Sequence, residues 1–125
     1  MVNIMVVDDE PALLESMRAY LTRLGHSVTA FQDAESAWER FDAHPSQYSA
    51  VIVDMTLEGM SGEKLIRKLL DRNPAVAVLA TSGYPGSLRN FEAPRGARIA
   101  MLEKPFTPQM LTAALAGLLE PSAET

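Results

Sequence analysis

The sequence predicts a three-layer α/β fold, a doubly wound five-stranded parallel sheet with helices on both faces. Three observations carry this expectation. Short, nearly all-apolar runs occur five times, as suits strands buried on both faces. Between them apolar residues return at helical spacing, and such alternation implies βαβ crossovers and a parallel sheet. With 125 residues, 47% of them hydrophobic and 22% charged, the chain has the size and composition of one domain with one core.

The first run, Val2 to Val7, stops at Asp8-Asp9-Glu10-Pro11, where carboxylates and a proline mark a helix start. Leu13, Leu14, Met17, Leu21 and Leu24 then recur at helical spacing, and Gly25 closes the helix. His26 to Phe31 is a weaker second strand. Asp33-Ala34-Glu35-Ser36 opens a helix through Trp38 and Phe41 that halts before Pro45. Tyr48 to Val53 is the third strand and ends on Asp54. A loop with Gly59 and Gly62 leads to a helix from Glu63 to Arg72, broken by Asn73-Pro74. Ala75 to Ala80 is strand four, ending at Thr81-Ser82-Gly83. The segment Tyr84 to Gly96 holds two prolines and two glycines, so any helix there must be short. Arg98 to Leu102 is strand five, ending at Glu103-Lys104-Pro105. Thr107 is placed to cap a last helix carrying Met110, Leu111, Ala114, Leu115, Leu118 and Leu119. The domain is expected over residues 1–120, with a polar tail at 121–125.

Composition excludes several function classes. No cysteine is present, which removes disulfide frameworks, thiol nucleophiles and zinc fingers together. Eleven Lys plus Arg stand against 16 Asp plus Glu, a net charge of −5, and no basic stripe suggests a nucleic-acid partner. No apolar stretch approaches the ~20 residues a membrane helix needs, and no secretory signal opens the chain. A cytoplasmic protein is expected.

The informative residues are those that end the strands. Asp8 and Asp9 end strand one, Asp54 strand three, Ser82 strand four and Lys104 strand five. Ligands of open α/β sheets bind beyond the carboxyl ends of the strands, so these groups should converge on one edge. Each also fits a plainer role. Asp8 and Asp9 suit a helix cap, Asp54 a turn before Gly59, Ser82 a turn and Lys104 a solvated loop. Capping accounts for any one position but not for three carboxylates, a hydroxyl and a lysine at four strand ends.

Three carboxylates in one cleft repel unless a cation joins them, and hard oxygen ligands suit Mg²⁺. Together with Lys104 the metal would frame one carboxylate oxygen in positive charge, a setting for an incoming phosphoryl group. Asp54 would then be the nucleophile, since carboxylates form aspartyl phosphates. Lys104 supplies a compact point charge and Ser82 one directed hydrogen bond.

Four stretches carry a resemblance that covers residues 2 to about 119. They are Val6-Val7-Asp8-Asp9-Glu10, the run from Asp54 to Gly62, Thr81-Ser82-Gly83-Tyr84 and Lys104-Pro105-Phe106. Together they resemble the receiver domain of bacterial two-component response regulators, including those of hybrid histidine kinases. The resemblance implies a flavodoxin-like fold with strand order 2-1-3-4-5. It implies that Asp54 is the phosphoacceptor, that Asp9 binds Mg²⁺ directly and Asp8 through water, and that the backbone carbonyl of Thr56 is a further ligand. Ser82 matches the switch hydroxyl and Lys104 the lysine that pairs with the phosphoryl group, before a bond to Pro105 that is often cis in the family. The implied partners are a sensor histidine kinase or a histidine phosphotransfer protein. A homodimer or output partner would use the fourth helical segment, strand five and the last helix.

Three departures accompany it. Glu58 stands where a proline is usual, Met101 where an aromatic switch residue is common, and the fourth helical segment is rich in Pro and Gly. His26, His44, Trp38 and the methionines read as structural, and Arg67, Lys68 and Arg72 as a solvated helix face.

Three functions compete. The first is a signalling domain switched by phosphorylation at Asp54, not an enzyme beyond self-phosphorylation and autodephosphorylation. The second is a phosphorylation-independent interaction module, against which all five side chains speak. The third is a hydrolase with Asp54 as nucleophile, but Thr56 stands where such enzymes carry a second acid. The chain reads as a free-standing receiver or a segment of a larger regulator.

Overall fold

The computed structural model describes residues 2–57, 59–83 and 95–119. Its strands are β1 (Asn3–Val7), β2 (Ser27–Phe31), β3 (Ala50–Asp54), β4 (Ala77–Ser82) and β5 (Arg98–Glu103). They form one parallel sheet in the order β2-β1-β3-β4-β5. The chain thus moves outward from β1 to β2, then crosses back to β3 on the other side of β1. That reversal leaves a crevice between the carboxyl ends of β1 and β3.

Side-chain alternation along the strands builds two cores. Met5 and Val7 of β1 point to the face covered by α2 (Ala34–Ala43) and α3 (Gly62–Arg72), among Phe41, Leu65 and Leu69. Ile4 and Val6 point to the face covered by α1 (Pro11–Arg23) and α4 (Pro108–Leu119), among Leu14, Leu21, Leu111 and Leu115. The central strands β3 and β4 are buried throughout, as their uninterrupted apolar runs predict. The edge strand β5 is half solvated, and Met101 on it is 50% exposed.

The helix boundaries follow local chemistry. Asp33 caps α2 by accepting from the Ser36 amide at 2.7 Å, Ser61 caps α3 from Lys64 at 3.2 Å, and Thr107 caps α4 from Met110 at 3.1 Å. Arg72 of α3 reaches Asp42 of α2 at 2.8 Å, and Asn73 donates to the Pro45 carbonyl at 2.7 Å, so the two helices are pinned at their ends.

Several sequence expectations are corrected. Asp8 and Asp9 do not cap α1; Glu10 is its cap residue and makes no side-chain cap bond. Gly62 begins α3 instead of lying in the loop. Leu24 and Met110 are exposed; Leu24 is the C-cap residue just beyond α1, and Met110 lies in the first turn of α4. Lys68 is not simply solvated, since its ammonium lies 4.6 Å over the Trp38 ring, which itself stacks on Phe41. The expected fourth helical segment between Tyr84 and Gly96, apart from Arg95 and Gly96, lies outside the described residues, as do Glu58 and the tail.

Candidate functional site

Asp8 follows β1 directly, and its amide extends the ladder by donating to the Phe31 carbonyl at 3.1 Å. Asp54 is the last residue of β3, beside Asp8 across the crevice. Both are buried, at 0% and 2% exposure, whereas Asp9 is exposed. Oxygen atoms of the three carboxylates lie within 4.8 Å of one another.

Lys104 reaches this cluster from the far end of the sheet. Its amide donates to the Ser82 carbonyl at 2.7 Å, which fixes its backbone to the end of β4, and its bond to Pro105 is cis. Its ammonium donates to Asp8 Oδ2 at 3.0 Å and to Asp54 Oδ2 at 3.2 Å. The second oxygen of each carboxylate is also engaged, in the same way. Asp8 Oδ1 accepts from the Glu10 amide at 2.9 Å, and Asp54 Oδ1 accepts from the Thr56 amide at 3.0 Å. Each aspartate therefore folds the chain after its strand into a turn onto its own carboxylate. Thr56 adds a second bond, its hydroxyl donating to Asp54 Oδ1 at 2.8 Å.

The electrostatics follow from burial and neighbours. Burial pushes the Asp8 carboxyl up; the Glu10 amide and the Lys104 hydrogen bond pull it back, and the Asp54 charge pushes it up again, so the net direction is upward. Burial pulls the Lys104 ammonium down, but its bonds to Asp8 and Asp54 and their charges outweigh that, and the net direction is again upward. Lys104 therefore stays charged at neutral pH. One ammonium does not balance three carboxylates. The cluster is an all-oxygen donor set with excess negative charge, and it fits a small divalent cation.

Ser82 ends β4 and is buried. Register pairs its neighbour Thr81 with Asp54 and Ser82 itself with Glu103, so Ser82 stands one step beyond Asp54 on the adjoining strand. An open cleft of about 460 Å³ adjoins the cluster, lined by Glu10, Leu13, Gly83, Lys104, Pro105 and Phe106.

The structure thus brings Asp8, Asp9, Asp54 and Lys104 together, and the sheet register carries Ser82 to the same edge. Sequence reasoning missed three contributors. Thr56 was expected for its carbonyl, yet its amide and hydroxyl hold Asp54; an Asp followed two residues on by a donor is the signal that could have revealed this. Gly62 is required by space, since a Cβ there would stand 2.3 Å from the Asp54 carbonyl oxygen and 2.6 Å from Met55 Cα. Glu35 of α2 accepts from the Met60 amide at 3.1 Å, a contact 25 residues long that no local pattern announces.

The response regulator receiver domain model matches residues 4–116. The transcriptional regulatory protein FixJ of Bradyrhizobium diazoefficiens is 28% identical over 98% of this chain and 60% of its own length. The response regulator receiver protein CpdR of Brucella abortus is 28% identical over 85% of this chain and 87% of its own. Among solved structures, a response regulator receiver protein from Sinorhizobium medicae superposes with a TM-score of 0.84 at 28% identity, covering 94% of each chain. The BeF3-activated DrrB receiver domain superposes at 0.81 and 28% identity, over 97% of this chain and 99% of that one. The chain spans 60% of FixJ and 54% of the regulatory protein VanRB of Enterococcus faecalis. The fold, the strand-end carboxylates and these similarities agree: the chain belongs to the response regulator receiver domain family of two-component signalling.

Proposed function

We propose that Asp54 is the phosphoacceptor of this receiver domain, taken here as residues 1–120, and that its donor is a phosphohistidine of a sensor kinase or phosphotransfer protein. The observation that carries this reading is the position of the Asp54 carboxylate, 3.2 Å from the Lys104 ammonium and grouped with the Asp8 and Asp9 carboxylates. In the transfer an Asp54 oxygen bonds to phosphorus as the phosphorus–nitrogen bond of the donor breaks. Lys104 neutralises charge on the arriving oxygens, and Ser82 donates a hydrogen bond to one of them. Asp8, Asp9, Asp54 and the Thr56 carbonyl are the residues that would hold Mg²⁺. When bound, the ion offsets the excess carboxylate charge and attracts the phosphoryl oxygens.

BeF3 activation of the DrrB receiver domain accords with a phosphoryl-responsive site in a relative of the same fold. Retention of Asp8, Asp9, Asp54, Ser82 and Lys104 on one edge disfavours a phosphorylation-independent module. The output face would be β5 and α4 with the chain between Tyr84 and Gly96, to which Met101 contributes an exposed apolar side chain. A homodimer or an output partner would dock there. A cytoplasmic location without membrane or nucleic-acid contact accords with the charge balance, and among the described residues no helix is long and apolar enough to cross a membrane.

Incubation with acetyl phosphate, with and without Mg²⁺, followed by intact-mass spectrometry tests the reading. One phosphoryl adduct that requires Mg²⁺ supports it; no adduct at saturating donor and metal overturns it.

A further inference from the structure

The chain between β3 and α3 carries Thr56, and it is tied at several points. At its start the Met55 amide donates to the Thr81 carbonyl at 2.8 Å, and Thr56 is bound to Asp54. At its end Ser61 caps α3 and Gly62 lies against the Asp54 carbonyl. Between these ends comes a contact from another element. The carboxylate of Glu35, on the first turn of α2, accepts the Met60 amide at 3.1 Å. Gly59 beside it has a φ of +79°, and a Cβ there would come within 3.1 Å of Glu35 Oε2. Glu35 does not cap its own helix, a task Asp33 performs. Its carboxylate faces the loop instead, at a helix start where negative charge is favoured. The underside of the same loop is held by Met55 and Met60, which pack on the core beneath α2 and α3.

We propose that Glu35 is a positioning residue for the metal site. It straps the loop after Asp54 to α2 and so fixes where the Thr56 carbonyl stands. This rests on the reading of Asp8, Asp9, Asp54 and Thr56 as the Mg²⁺ ligands. The strap works through the acceptor oxygen and not through the charge, because the contact is a single hydrogen bond to a backbone amide. Glu35→Gln keeps that acceptor and loses the charge, whereas Glu35→Ala loses both. Glu35 is exposed, so neither change should disturb the core.

The test is calorimetric titration of Mg²⁺ into the metal-free protein and both variants, with amide exchange at Met60 followed in parallel. Glu35→Ala should bind Mg²⁺ roughly three- to tenfold more weakly, the scale of one organising hydrogen bond, and should exchange the Met60 amide faster. Glu35→Gln should stay within about twofold of the unsubstituted protein in both measurements. Unchanged affinity in Glu35→Ala overturns the proposal. Equal weakening in the two variants also overturns it, since that result assigns the effect to charge at a distance. Asp9→Ala, titrated alongside, separates this from failure of the metal-site reading. If Asp9→Ala leaves the affinity unchanged, the ligand assignment falls and the strap's role with it; if Asp9→Ala loses affinity while Glu35→Ala does not, the strap alone is wrong.

Discussion

Lys104 and Asp8 are 96 residues apart in the chain, yet the ammonium of one donates to the carboxylate of the other at 3.0 Å. The contact joins the end of the central strand β1 to the end of the edge strand β5 across β3 and β4. With the parallel contact to Asp54, it makes Lys104 a countercharge shared by both buried carboxylates.

Lys104→Ala should therefore destabilise the metal-free protein, because Asp8 and Asp54 lose the lysine countercharge and keep only the hydrogen bonds from Glu10 and Thr56. The loss should be roughly 2–4 kcal/mol at neutral pH, and smaller in acid where Asp8, whose pKa burial raises, takes up its proton. Mg²⁺ should restore part of it, because ligand that binds only the folded state stabilises that state. The variant should bind Mg²⁺ as well as the parent or better, since a repelling cation is gone. Urea unfolding with and without Mg²⁺ measures this. An unchanged metal-free midpoint would show that the ion pairs contribute little.

Stability of the metal-free protein should depend on pH through Asp8. Burial raises the folded-state pKa of this carboxyl, so the folded chain keeps a proton that the unfolded chain has already lost. Its contribution is complete below the ordinary aspartate range and is lost as pH rises through the raised folded value. Lys104 behaves alike at the other end of the scale: its raised pKa preserves its contribution through neutrality and yields it only above the ordinary lysine range. Asp8→Asn should flatten the fall on the acid side and also shrink the alkaline one, because Asp8 supplies the strongest pull holding the Lys104 pKa up. Urea midpoints across pH in chelator provide the check, and an acid-side slope that survives in Asp8→Asn contradicts the assignment.

Alanine should have opposite effects at two glycines. At Gly62 the new Cβ meets backbone at 2.3 Å and 2.6 Å, which no side-chain rotation relieves. α3 must shift, with Asp54 beside it, at a cost of at least about 1–3 kcal/mol. Gly117 lies inside α4 with nothing within 4 Å of its Cβ position, so Gly117→Ala should stabilise by roughly 0.5–1 kcal/mol. Thermal unfolding of the two variants compares them directly. Changes of the same sign would refute the packing described around Asp54.

The layers and the site edge were legible in the sequence for one reason. β1, β3 and β4 carry apolar runs, so Asp8, Asp54 and the Thr81-Ser82 pair stand out where those runs stop. What periodicity does not encode is which oxygen each carboxylate presents to which donor. The turns onto Glu10 and Thr56, and the absence of a side-chain cap on α1, depend on backbone directions set only after the strands pair. Gly62 looked like an ordinary loop glycine because the close approach that requires it comes from β3, eight residues earlier. Leu24 and Met110 share the apolar helical spacing of their buried neighbours yet are exposed, Leu24 at the C-cap beyond α1 and Met110 in the first turn of α4, because spacing alone does not fix where a helix ends or begins. Glu35 was invisible for the reason that makes it informative: its partner lies on another element.

The central claim is that the phosphoryl group is carried by Asp54, and locating that group is its most direct test. After reaction with acetyl phosphate and Mg²⁺, borohydride reduction converts an acyl phosphate of aspartate to homoserine, which peptide mass spectrometry places in the sequence. Homoserine at position 54, absent when Asp54→Asn is treated identically, is the predicted result. Homoserine at Asp8 or Asp9, or an adduct of the same yield in Asp54→Asn, would contradict the account.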